Sequence, residues 1–262
     1  MLNPHNTYTK LLSQIAKFFE ETGFHKAVLG VSGGVDSALV LKLLVDAIGA
    51  QNVVGLMMPE HGVTKDENTA HAKALCTFLE VENYTLPINK YLQDLLHLPW
   101  KPSGLAQMNT KARVRSVILY NYANTEHALV VGTSNKSELM LGYGTKFGDL
   151  ACDFMPIGDL YKTDVFALAE HIGIPMEIIE KAPTAELCKG QTDEAELGAP
   201  YETLDRILKE ISGETPDLSF NAPESHALFE QESVPLSHTA KSIMDRIKRN
   251  EHKGRTPFVI KL

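Results

Sequence analysis

A glycine-rich loop between an apolar strand and a helix constrains this chain more than any other feature. Residues 27–31 are aliphatic, residues 32–37 read Ser-Gly-Gly-Val-Asp-Ser, and a helical pattern follows at 35–48. Consecutive glycines let the backbone approach an anion, and the starting helix directs free N–H groups and its positive dipole end at a phosphate. The loop therefore predicts a phosphate site formed by Gly30, Val31, Ser32, Gly33, Gly34, Val35, Asp36 and Ser37.

Two details of this loop restrict the chemistry further. No lysine stands where a Walker-type P-loop requires one, so the loop is a different phosphate-binding motif. Asp36 places a carboxylate beside the phosphates, and it is repelled unless a cation lies between them; magnesium is the natural cation. A strand-to-helix turn that merely contains an aspartate is the alternative, and the complete octapeptide after an apolar strand favours phosphate binding.

Strand-like and helix-like patterns alternate along the chain. The runs 27–31, 53–58 and 128–132 are apolar on both alternating faces, as strands covered on both sides are. Helical spacing of apolar residues occupies 7–22, 35–48, 66–79, 107–122, 201–211 and 236–249. This alternation predicts an α/β fold, a doubly wound parallel sheet with helices on both faces and C-terminal helices packed on it. Residues 188–199 are polar and lack periodicity, which predicts a mobile loop.

Composition excludes several function classes. The formal net charge of −8 over 262 residues argues against a surface that coats nucleic acid. The three cysteines have unrelated spacings, so we expect neither a disulfide framework nor a zinc site, and a cytoplasmic location is the default. No apolar run reaches about 18 residues, so we expect no membrane span.

The loop Ser32-Gly33-Gly34-Val35-Asp36-Ser37 resembles the pyrophosphate-binding loop of the N-type ATP pyrophosphatases. Three further segments are similar to ammonia-dependent NAD synthetase: residues 109–115, residues 131–153, and residues 160–163 together with 182–187. A shorter match, Glu-His-Lys-Gly-Arg at 251–255, lies near the C-terminus. The resemblance covers roughly residues 10 to 255 and implies the adenine nucleotide alpha hydrolase-like form of the predicted fold.

The resemblance also implies a role for each matching residue. Glu138 is the second magnesium carboxylate opposite Asp36. The ATP contacts are Thr133, Lys162 and Thr184, and the deamido-NAD contacts are Arg113, Lys146, Asp153, His252 and Lys253. Asp149 is the candidate base for ammonium because it lies in the same loop as the substrate residues. The alternatives are a solvated basic face at 109–115, a helix cap with solvated charges at 131–153, a solvated basic tail at 251–255 and a turn residue at Asp149.

Together these features predict one NAD synthetase-like domain over residues 1–262. The implied reaction adenylates the nicotinate carboxylate of deamido-NAD with ATP and amidates it with ammonia, giving NAD, AMP and pyrophosphate. Too little sequence surrounds the predicted sheet for a glutaminase domain, so free ammonia is the expected nitrogen donor. The resemblance implies a homodimer with substrate sites near the subunit interface. The alternatives are another adenylating amidotransferase of the GMP synthetase type and a non-catalytic nucleotide-binding module.

Overall fold

The sheet at the centre of the molecule has four parallel strands in the order β3-β2-β1-β4. In the computed structural model, which describes residues 2–213 and 233–255, the strands are β1 Lys26–Gly30, β2 Val53–Met57, β3 Glu82–Thr85 and β4 Ala128–Val130. The register pairs Ala27 with Val53 and with Leu129, so the strands end at similar heights. Because all four run parallel, their carboxyl ends share one edge of the sheet.

Helices cover both faces of this sheet. The first eight, α1 to α8, are Pro4–Thr22, Val35–Ile48, Asp66–Phe78, Asn89–Leu92, Gly104–Glu126, Lys136–Leu141, Lys162–His171 and Met176–Ile179. Three more within the described residues, α9 to α11, are Asp193–Leu197, Tyr201–Ile211 and Ser233–Asn250. None of the helices in the described part of the chain is long and apolar enough to cross a membrane.

Alternate strand residues divide between two hydrophobic cores. In β1, Ala27 and Leu29 face a core formed with α1, α2, α3 and α7, whereas Val28 faces a second core under α5. All three side chains are fully buried, as the apolar run on both faces of the strand predicted. A third core joins α6, α10 and α11, and α10 also packs against α7. The predicted doubly wound α/β fold with C-terminal helices packed on it is therefore confirmed.

Two predictions about local structure need correction. The sequence pattern missed β3, because this edge strand is polar and largely exposed and lacks an apolar run. The segment 188–199, predicted as a loop, contains the short helix α9. Leu197 is buried in the third core and Asp193 is 4% exposed, so tertiary burial orders a stretch too short to show a helical period.

Candidate active site

A cavity of about 970 Å³ opens at the carboxyl ends of β1, β2 and β4. Its wall includes the whole predicted phosphate loop, from Gly30 to Ser37. The same wall includes six further predicted site residues: Thr133, Glu138, Asp149, Lys162, Thr184 and Lys253. Segments that are far apart in sequence thus meet at the edge where an open parallel sheet binds its ligands.

The phosphate loop is held in shape by its own serines. The Ser37 hydroxyl donates to the Gly34 carbonyl at 3.0 Å and accepts from the Ser32 backbone N–H at 3.2 Å. Gly33 has a positive φ of 84°, and a Cβ built on it would lie 2.3 Å from the Asn68 carbonyl oxygen. Glycine at this position is therefore required both by the backbone angle and by the close packing of the loop on α3.

Two carboxylates and one ammonium group meet at the floor of the cavity. The Lys162 Nζ donates to Asp36 Oδ2 and lies 3.6 Å from Glu138 Oε1. Burial would lower the pKa of Lys162, but Asp36 and Glu138 outweigh it and raise that pKa above its usual range. Burial, with repulsion from Asp36, raises the pKa of Glu138. The cluster has two carboxyl groups for one ammonium group, so a further cation beside them would favour the ionised form of Glu138.

This cluster fits a magnesium ion in its chemistry. Both groups are oxygen donors of the kind that Mg²⁺ prefers, and a cation beside them would relieve their mutual repulsion. Across residues 2–213 and 233–255, no group of three or more His, Cys, Asp or Glu side chains forms a self-sufficient metal site. Magnesium would therefore need substrate oxygens in addition to the two protein carboxylates, which is how it is usually held in nucleotide sites.

Asn135 and Asp205 position this cluster, and the sequence interpretation assigned neither a role. Asn135 forms a capping box with Glu138 at the start of α6, and its amide nitrogen also donates to Asp36 Oδ1 at 2.9 Å. Asp205, 2% exposed on α10, accepts from the Thr163 N–H at 2.8 Å and from the Ser137 hydroxyl. The Asn-x-x-Glu spacing was a visible signal for Asn135. Asp205 offered none, because a carboxylate on an amphipathic helix is usually solvated.

Asp149 also lines the cavity. Its Oδ1 accepts from the Thr145 N–H at 2.9 Å, so the loop backbone fixes the carboxylate in place. The side chain is open to the cavity, yet the protein around it displaces much of its water and raises its pKa. The Lys253 ammonium beside it donates to the Gly142 and Gly144 carbonyls at 2.9 and 3.0 Å.

Four predicted deamido-NAD residues, Arg113, Lys146, Asp153 and His252, do not line this cavity. Arg113 is exposed on α5, and its guanidinium donates to the Lys146 carbonyl at 3.2 Å. The Lys146 ammonium donates to the carbonyls of His252 and Arg255, at 2.7 and 2.8 Å. The Asp153 carboxylate accepts from the Val130 N–H at 2.7 Å. Contacts thus link Arg113, Lys146 and His252 to one another outside this cavity, whereas Asp153 is held at β4.

The segment after Thr184 closes one side of the cavity. Residues 188–190 are exposed, but the following residues are anchored: the Asp193 carboxylate accepts from the hydroxyls of Tyr143 at 3.0 Å and Tyr201 at 3.1 Å. The Tyr143 hydroxyl also contacts Glu196 at 2.8 Å. These tyrosines attach the segment next to Lys162 and Glu138, a role that its sequence did not indicate.

Comparison with known proteins identifies the family. The NAD synthase family model matches residues 7–257. The chain belongs to the NAD synthase family. It is 40% identical over 261 residues to an NH3-dependent NAD+ synthetase from Fusobacterium nucleatum, covering 100% of this chain and 97% of the relative.

Two similar solved structures align with 100% of this chain, and each alignment also covers 100% of the solved chain. An NH3-dependent NAD synthetase from Campylobacter jejuni has a TM-score of 0.80 at 30% identity. An NMN synthetase from Francisella tularensis has a TM-score of 0.83 at 28% identity. The resemblance to NAD synthetase seen in the sequence motifs is therefore confirmed at the level of the family.

Proposed function

We propose that this protein is an ammonia-dependent NAD+ synthetase, a ligase that uses ATP to convert the nicotinate carboxylate of deamido-NAD into the amide of NAD. One observation carries the proposal within this family. The phosphate loop, Asp36, Glu138 and Lys162 meet in one cavity that also contains Asp149. Groups suited to phosphate binding, charge neutralisation and deprotonation of ammonium thus line the same cavity.

Adenylation is the first chemical step. A carboxylate oxygen of deamido-NAD attacks the α phosphorus of ATP, and the bond from that phosphorus to the oxygen bridging to the β phosphorus breaks. Pyrophosphate leaves with the electron pair. The loop N–H groups and the buried Lys162 ammonium would neutralise the negative charge that develops on the leaving group. Asp36 and Glu138 would hold magnesium, which supplies Lewis-acid stabilisation of the same charge.

Amidation is the second step. Ammonia attacks the carbonyl carbon of the acyl-adenylate, and the carbon–oxygen bond to AMP breaks. Because most ammonia is ammonium at neutral pH, a carboxylate is needed to bind the cation and accept a proton. We assign this role to Asp149, whose Oδ1 is fixed by the Thr145 N–H and which faces the cavity.

We further propose that the protein acts as a homodimer. A second cavity of about 910 Å³ runs along α5 and is lined by apolar side chains, among them Val117, Tyr84 and Leu95. Val117 is 68% exposed in the single chain. Arg113 also lines this groove, and its guanidinium donates to the carbonyl of Lys146, another predicted deamido-NAD residue outside the main cavity. A second copy covering the groove would bury these apolar groups and complete the dinucleotide site.

The nitrogen donor and product test the proposed function. Purified protein is incubated with ATP, magnesium and deamido-NAD, together with either ammonium chloride or glutamine, and NAD is measured with a coupled dehydrogenase. The proposal predicts NAD formation with ammonium, rising with pH as free ammonia increases, and none with glutamine alone. Glutamine-supported NAD formation by rigorously purified protein would contradict it. The single-domain organisation over 1–262 and the cytoplasmic location stay predictions.

A further inference from the structure

The stem segment, residues 181–187 between α8 and α9, contains a strained residue to which no role has been assigned so far. Glu186 has a φ of 46°, in the left-handed region that residues with a β-carbon rarely adopt. Such a conformation persists only where the surrounding structure fixes it, and it is often found at ligand sites. Thr184, a predicted ATP contact, lies two residues earlier, and its hydroxyl accepts from the Glu186 N–H at 3.1 Å.

The Glu186 side chain is fixed by the first turn of α3. Its Oε1 accepts from the Asn68 Nδ2 at 2.6 Å, with a longer contact to the Lys65 N–H at 3.4 Å. Asn68 is 8% exposed, so its amide has little access to water as an alternative partner. A carboxylate at a helix N-terminus also interacts favourably with the helix dipole. These contacts explain how the strained backbone of the stem is held in place.

The same turn of α3 supports the phosphate loop. The carbonyl oxygen of Asn68 lies directly against Gly33, where a Cβ would be 2.3 Å away. From the stem segment, the Lys181 ammonium donates to the Gly33 carbonyl at 3.2 Å. Asn68 therefore touches the stem segment with its side chain and the phosphate loop with its backbone.

We propose that Glu186 is a positioning residue for ATP, a role that rests on the proposed function above. Its contact with Asn68 fixes the stem segment, and hence Thr184, relative to the phosphate loop. The triphosphate then meets both in one preformed arrangement. Glu186 itself need not touch the nucleotide. Loss of the contact should weaken ATP binding and leave the chemistry at Asp36, Glu138 and Lys162 unaltered.

Steady-state kinetics of three Glu186 variants test this role. For Glu186→Ala we expect the KM for ATP to rise about tenfold while kcat stays within about twofold. Glu186→Gln keeps an oxygen that accepts from Asn68 Nδ2, so its KM for ATP should stay within about threefold of wild type. Glu186→Gly relieves the backbone strain and should raise the KM as much as alanine without loss of thermal stability. Glu180→Ala removes an exposed carboxylate immediately before the stem segment; it is the control and should change neither constant.

A double-mutant cycle separates positioning from general destabilisation. If Glu186 acts through Asn68, then Glu186→Ala combined with Asn68→Ala should raise the KM no further than the more affected single variant. Multiplying effects in the double variant, or a Glu186→Ala enzyme with wild-type KM for ATP, would overturn the inference. Lack of NAD formation by the wild-type enzyme would instead refute the proposed function, so the two failures are distinguishable.

Discussion

Two regions of the molecule differ in what their polar side chains contact. One is the phosphate end of the main cavity, formed by the phosphate loop, Asp36, Glu138 and Lys162; the other is the surface beside α5, which includes Arg113 and Lys146. At the phosphate end, Lys162 contacts both Asp36 and Glu138, and all three side chains line the main cavity. Beside α5, the side chains of Arg113 and Lys146 donate to backbone carbonyls and do not line the main cavity. In the single chain, the groups assigned to adenylation line one cavity, whereas Lys253 alone of the residues that the resemblance assigns to deamido-NAD lines it. The proposed second copy would complete the dinucleotide site at the surface beside α5.

The largest effect on activity is expected when a carboxylate charge at the phosphate end is removed. Asp36→Asn and Glu138→Gln should each nearly abolish turnover with the fold intact, because loss of such a charge clamp costs on the order of 3 kcal/mol, or about 100-fold in rate. The measurement is kcat at saturating magnesium, with circular dichroism as the test of folding and Glu180→Gln as the control. If either variant kept more than about half of wild-type activity, its assignment as a magnesium ligand would be wrong.

Asp149→Asn should lower kcat by about 50-fold at neutral pH, since a positioned base contributes at least this much.

The same substitution should change how thermal stability depends on pH. Because the pKa of Asp149 is raised in the folded state, its contribution to stability is fully present below its unfolded pKa of about 4 and is lost as pH rises through the folded pKa. In thermal unfolding from pH 4 to 8, the Tm of Asp149→Asn should therefore rise relative to the Tm of wild type as the pH increases. A wild-type rate in the variant would reduce Asp149 to a turn residue.

Val117→Asp tests whether the surface beside α5 is completed by a second copy. A charge in the apolar groove should prevent association and raise the KM for deamido-NAD by roughly tenfold, with the KM for ATP little changed. Sedimentation velocity and steady-state kinetics measure the two effects. Phe78→Asp is the matched control, since Phe78 is a 79% exposed aromatic residue on α3, away from this groove. A dimeric Val117→Asp enzyme, or a monomeric wild type with full activity, would refute the shared site.

The smallest expected effect concerns residues 188–199. An acyl-adenylate must be shielded from water, and mobile segments commonly serve as lids. Trypsin should cut after the exposed Lys189, and both substrates together should slow that cleavage by about fivefold. The buried Asp193 and its tyrosines restrict the movement to the first half of the segment. Equal cleavage rates with and without saturating ligand would contradict the lid and favour a permanently exposed linker.

The sequence predicted most of what periodicity and local motifs encode. The helix at 35–48, the parallel strands and the phosphate loop follow from apolar patterning and from consecutive glycines, and the structure confirms the predicted fold. Strand β3 and helix α9 were missed because one is a polar edge and the other is ordered only by burial. No local pattern identified Asp205, Asp193 or Glu186, because each has a hydrogen-bond partner more than 40 residues away. Site roles transferred by resemblance stay predictions.

ATP–pyrophosphate exchange tests the central claim most directly, because it reports adenylation without requiring ammonia. Purified protein with ATP, magnesium and labelled pyrophosphate is supplied separately with deamido-NAD, nicotinate mononucleotide or xanthosine monophosphate. We predict rapid exchange with deamido-NAD, at least about tenfold slower exchange with the mononucleotide, and none with xanthosine monophosphate. Exchange that is faster with nicotinate mononucleotide or with xanthosine monophosphate than with deamido-NAD would contradict the account.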